Sequence, residues 1–156
     1  MLIIGWLVAI GLLALLFHKK LYAPRTPEFN QLSNGVKITL YREHDSHFRI
    51  SGLLNGHPVT FLIDTGATTI AIPASIAQAA GLPLEQEVVT HTANGNAVGY
   101  ATRIDHLTVG PVPFSNIRAI IIPNMSSDEL LLGMSILKKF VMKQTREKLI
   151  LTLPTR

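Results

Sequence analysis

The 156-residue chain contains no cysteine. That removes any disulfide framework, thiolate metal site or thiol nucleophile, and it leaves the redox compartment open. Aromatic residues are 6% of the chain and charged residues 15%. The net charge of +4 comes from scattered Lys and Arg, with no basic run interleaved with aromatics. This is the pattern of a solvated surface near anionic lipid, not of a nucleic-acid-binding face. Metal-ligand spacing is also missing. His44 and His47 flank a polar turn, His57, His91 and His106 stand singly within strand-like segments, and there is no H-E-x-x-H. No G-x-S-x-G elbow supports a serine hydrolase, and Ser135 only follows "GM" at a helix start. No metal and no cofactor are expected.

Charge is absent altogether from the first seventeen residues, "MLIIGWLVAIGLLALLF", which end at His18, Lys19 and Lys20. As a helix this run spans about 25 Å, slightly short of a bilayer core unless the lysines snorkel outward. A cleaved signal peptide is the rival reading. It calls for a basic residue before the run and an A-x-A site after it, and the chain has neither. No polar face interrupts the run, which disfavours a buried core helix. Residues 1–20 are therefore expected to be a single-span membrane anchor. Lys19, Lys20 and Arg25 follow it, and the positive-inside rule on its own holds that side in the cytoplasm.

Residues 21–35, with Pro24, Pro27, Ser33 and Asn34 and weak periodicity, read as a linker. Residues 36–156 read as one domain of short strands. "VKITLYR" alternates inward Val36, Ile38 and Leu40 with polar partners, and "HFRISGLL" follows across a polar turn at Glu43–Ser46. Asn55–Gly56 predicts a type I′ hairpin turn into "HPVTFLI". "PASIAQAAGL" predicts one short helix with proline at its first turn and Gly81 as its stop. Asn94–Gly95 predicts a second hairpin between "EVVTHTA" and "AVGYATRIDHLTVG". A turn at Pro111–Pro113, the apolar strand "FSNIRAIIIP", a second short helix from about Gly133, and a hairpin of "VMKQT" with "KLILTL" complete the domain. Many short strands with few helices predict an all-β barrel or sandwich.

Within this pattern "FLIDTGATTIAI" places a carboxylate, Asp64, between two apolar runs. Asp-Thr-Gly alone equally describes an aspartate capping a turn after a strand. Some sixty residues later comes "LLLG", and then a short helix. The arrangement resembles the retropepsin-like aspartic proteases from about Val36 to Leu153. The details "DTGATTIAIP", "TANG" and "LLGMSIL" look like a bacterial, single-span, membrane-anchored branch. The resemblance implies the acid-protease barrel, with Asp64 as catalytic carboxylate and Thr65 and Gly66 as its supports. It implies that Leu131, Leu132 and Gly133 brace the catalytic loop from below, and that Asn94, Gly95 and Asn96 form the tip of a substrate-covering flap. Some aspartic proteases carry a serine donor where this chain has Ala67, which implies a less acidic working pH here.

Peptide hydrolysis of this kind needs two carboxylates about 3 Å apart sharing a proton. Asp45, Asp105 and Asp128 lack a following Thr-Gly or Ser-Gly, and about 120 residues are too few for two lobes. The second carboxylate is therefore expected from Asp64 of another copy, in a homodimer acting on a protein or peptide substrate. "KLILTL" is expected to be an edge strand that pairs across that dimer. The alternative is a non-catalytic dimeric peptide-binding or scaffold module on the same fold. The resemblance also implies a periplasm-facing domain on a bacterial inner membrane, against the charge pattern after the span.

Overall fold

The computed structural model describes Trp6, residues 10–14, residues 25–92 and residues 95–154. No helix among the described residues is long and apolar enough to cross a membrane. Most of the expected anchor lies outside the described residues. Trp6 and residues 10–14 are helical and exposed.

Two sheets share one apolar core. The first has four strands in the order β1 (Glu28–Leu32), β2 (Gly35–Tyr41), β11 (Lys148–Pro154) and β10 (Val141–Gln144). The second holds β3 (Arg49–Leu54), β4 (His57–Ile63), β9 (Leu130–Leu132), β5 (Ile70–Pro73), β8 (Val112–Ile122), β7 (Gly95–Val109) and β6 (Glu87–Thr92), in that order. An added pairing of β3 with the far end of β7 closes six of these strands into a ring, with β6 outside it. The all-β barrel expectation is met, and ring closure leaves β6 as the border strand of this sheet among the described residues.

Alternation in the sequence explains the core. Ile38, Leu40, Ile50, Phe61, Ile70, Ile72, Ile104 and Leu107 are buried from several strands at once. Each such side chain contributes about 1.5–3 kcal/mol by leaving water. Asn55 and Gly56 turn β3 into β4 with φ of 50° and 84°, the left-handed pair that a type I′ turn requires. The predicted first helix is α1 (Ala74–Ala79), and Gly81 ends it at φ +67°. Pro73 ends β5 and caps α1 instead of lying inside its first turn. The second helix, α2 (Met134–Leu137), starts directly after Gly133.

Two expectations need correction. The segment expected as linker contains β1, which pairs antiparallel with β2 from Glu28↔Thr39 to Leu32↔Gly35 through a turn at Ser33–Asn34. All five residues of β1 are exposed, so no buried stripe marks the strand in the sequence. Secondly, β11 is not an edge strand. It lies between β2 and β10, with Leu149 and Leu151 buried, and the edges of its sheet are β1 and β10. An apolar sequence at a terminus fits an interior strand as well as an edge, and only the partner register separates the two.

Candidate active site

The chain leaves β4 at Ile63, makes a turn through Asp64, Thr65 and Gly66, and re-enters the barrel at β5. Between these two strands runs β9, parallel to β4 (Phe61↔Leu130, Ile63↔Leu132) and antiparallel to β5 (Ala71↔Leu131). The loop therefore arches over the end of a strand that arrives from much later in the chain.

Each end of the arch is tied to the segment below. Asp64 N–H donates to the Leu132 carbonyl at 3.1 Å. Met134 N–H donates to the Ala67 carbonyl at 2.8 Å, and Ser135 N–H to the Thr68 carbonyl at 2.9 Å. Gly133 is needed for this approach: a Cβ there would lie 2.2 Å from the Thr69 carbonyl oxygen and 2.6 Å from that of Ala67. The carboxylate organises its own turn, since Asp64 Oδ1 accepts the Gly66 N–H at 2.8 Å. Asp64 is half-buried, while Thr65 and Gly66 face solvent at the apex. The structure thus brings Asp64, Thr65, Gly66, Ala67, Leu131, Leu132 and Gly133 together.

The expected flap is the β6–β7 hairpin, in register from Glu87↔Tyr100 to Thr92↔Gly95. Gly95 has φ +105°, and Gly95 and Asn96 are exposed; Asn94 lies outside the described residues. Val89 and Val98 face each other across the hairpin, 64% and 50% exposed. Gly99 serves close packing, because a Cβ there would meet Ile120 Cγ2 at 2.7 Å and the Ile121 carbonyl oxygen at 2.9 Å.

Sequence reasoning missed the group that holds the loop's flank. Arg49, at the start of β3 and opposite Leu62 of β4, reaches Glu43 at 2.9 Å, Asp45 at 2.6 Å and Glu129 at 2.5 Å. It joins the turn after β2 to the residue before β9, so one guanidinium ties together the segments that lead into β3 and β9, the two neighbours of β4. Arg42 adds hydrogen bonds to the carbonyls of Arg146 and Ser46 and stacks 4.7 Å over the Phe48 ring. The signal available was the charge density of "REHDSHFR", but which partners meet is a matter of tertiary contact.

Hydrogen bonds from Arg49 and from the His47 N–H hold the Asp45 carboxyl well below its ordinary value of 3.8. A carboxyl lowered on folding stabilises the fold above its unfolded value and loses that contribution as pH falls towards the folded one. Asp45 is exposed, so the effect is screened and small. Thermal midpoints of the wild-type and Asp45→Asn chains are expected to differ by a constant gap above about pH 5 and to converge below the unfolded value. A gap unchanged down to about pH 2 would contradict this ionic origin.

A six-stranded closed barrel, with an Asp-Thr-Gly turn arched over an inserted strand, defines the retropepsin-like aspartic protease fold. A retropepsin-like aspartic protease from Rickettsia conorii superposes with a TM-score of 0.64 at 27% identity, covering 85% of this chain and 98% of that one. Residues 50–139 match the model of the family described as gag-polyprotein putative aspartyl protease, and the chain belongs to that family. An uncharacterized Sinorhizobium protein is 32% identical over 113 residues, 70% of this chain and 48% of its own length. An uncharacterized protein of Rickettsia prowazekii is 31% identical over 118 residues, 73% of this chain and 50% of its own length. The chain thus spans about half the length of these curated relatives.

Proposed function

We propose that the chain is an aspartic endopeptidase, active as a homodimer with one Asp64 from each copy. The observation that carries this reading is the arch itself. It holds a carboxylate by the Gly66 N–H at the end of a braced strand, with Thr65 and Gly66 left open at the apex. Asp45, by contrast, is engaged by Arg49 and is not available as a second carboxylate within the chain.

In the dimer the two Asp64 side chains share one proton. The ionised one takes a proton from water as the water oxygen bonds to the substrate carbonyl carbon, and the protonated one donates to the carbonyl oxygen. Collapse of the tetrahedral adduct breaks the C–N bond, and the proton gained from water passes to the departing amine. Thr65 bridges to the partner loop, Ala67 leaves the carboxylate without a side-chain donor, and the β6–β7 hairpin with Asn94–Asn96 at its tip covers the peptide. The uncharged run at 1–17 supports membrane attachment, and the resemblance to bacterial anchored proteases, against the charges of Lys19, Lys20 and Arg25, favours a bacterial inner membrane with the domain on its periplasmic face.

The test is cleavage of a diverse peptide library by the full chain in detergent, wild type against Asp64→Ala, across pH. Activity is expected to fall by at least about a hundredfold in the variant, with a wild-type optimum above about pH 4. A folded, dimeric wild-type chain that cuts nothing would favour the scaffold reading instead.

A further inference from the structure

We propose that the two copies join along β10, each β10 adding antiparallel to its counterpart, so that the four-stranded sheet continues from one copy into the next. This inference rests on the dimeric reading above and adds the surface that builds it.

Position selects β10 from the two free edges. A cavity of about 370 Å³ is lined by Ile63 and Thr65 of the Asp64 loop, by Met142 and Gln144 of β10, and by Leu149 and residues of the turn after β2. The edge strand and the catalytic turn therefore share a wall. The other edge, β1, lies three strands across the sheet, about 14 Å further away. A two-fold axis that brings two Asp64 turns together therefore passes nearer β10 than β1.

The backbone is prepared for a partner. Thr145 N–H donates to the Lys148 carbonyl at 2.8 Å, which makes Thr145 and Lys148 a hydrogen-bonded pair of the β10–β11 ladder. Antiparallel ladders alternate, so Lys143↔Ile150 and Val141↔Thr152 are also bonded pairs. Met142 and Gln144 accordingly turn their N–H and C=O groups away from β11, towards the open edge. Val141 is 66% exposed there, a β-branched apolar residue on an edge strand that has no proline.

Charge selects the register. Centred on Lys143, a symmetric pair would set two ammonium groups directly opposite each other, which is unfavourable. Centred on Met142, it puts Met142 against its counterpart in a bonded pair and Lys143 opposite Val141 of the other copy. The bonded pair brings the two Met142 Cα atoms to about 5.5 Å, within disulfide range.

The chain has no native cysteine, so Met142→Cys gives an unambiguous probe. Full-length Met142→Cys in detergent under mild oxidant is expected to become a disulfide-linked dimer within minutes. Leu84→Cys, at a site 63% exposed, is expected to remain unlinked. Met142→Pro removes the outward N–H together with a half-buried side chain at the edge of the core, so it is expected to keep a cooperative thermal transition at a lower midpoint, as Met142→Ala does, while it alone weakens dimerisation at least tenfold. Equal cross-linking of both cysteine variants, or a Met142→Pro chain that dimerises as wild type, would overturn the β10 seam. Asp64-dependent peptide cleavage by such a chain would leave the enzyme reading standing. A cross-linked dimer that cleaves nothing supports the seam and counts against catalysis alone.

Discussion

Mixing wild-type chain with a ninefold excess of Asp64→Ala chain, at fixed total concentration, is expected to cut peptidase activity to about one hundredth of the undiluted value. Dilution alone leaves about one tenth. The difference arises because a lone carboxylate cannot be both the base that takes the water proton and the acid that protonates the carbonyl. On the proposed reading only pairs with two intact Asp64 side chains turn over, and under random pairing their share is the square of the wild-type fraction. The Asp64→Ala chain should fold, since the loop retains its main-chain ties to Leu132, Met134 and Ser135. The measurement is an initial rate after the two chains have exchanged partners. A fall to only one tenth would mean that a single copy is catalytically sufficient.

Gly133→Ala is expected to destabilise the fold by about 3 kcal/mol or more and to lower the urea midpoint by about 1 M or more. The backbone at Gly133 is extended, with φ −88°, a conformation any residue adopts, so the cost comes wholly from space. A Cβ at 2.2 Å from one carbonyl oxygen and 2.6 Å from another must push α2 and the arch apart. The hydrogen bonds from Met134 and Ser135 to the loop carbonyls then lengthen or break. Gly66→Ala is the informative contrast. Its Cβ would meet only Asp64 Oδ1, at 3.2 Å, so the damage should fall on the carboxylate's position and not on stability. Urea melts of the two variants separate these effects, and equal midpoints would refute the bracing role given to Gly133.

The parts of the fold that were legible in the sequence are those with local causes. Asn55–Gly56 makes its turn because two adjacent residues tolerate positive φ, and the arch follows from Asp, Thr and Gly in contact with their own backbone. The insertion of β9 came only through a family resemblance, since no local pattern in "LLL" says where it pairs. The strand β1 was missed because none of its residues is buried. The place of β11 was misjudged because two neighbours, one more than a hundred residues earlier in the chain, decide whether it is an edge. The Arg49 cluster stayed hidden for a similar reason, as Glu129 lies eighty positions away.

The pairing of β4 with β9 also governs when the site can exist. Residues 61–63 meet residues 130–132, about seventy positions later, and loop closure over such a distance comes late in folding. During synthesis the Asp64 turn is made long before the strand that supports it. Until Gly133 has emerged and threaded beneath the arch, the carboxylate has no fixed position. On the reading proposed above, a chain truncated before Gly133 is expected to cleave no peptide, because the strand that supports the Asp64 turn is then missing its tie to the loop.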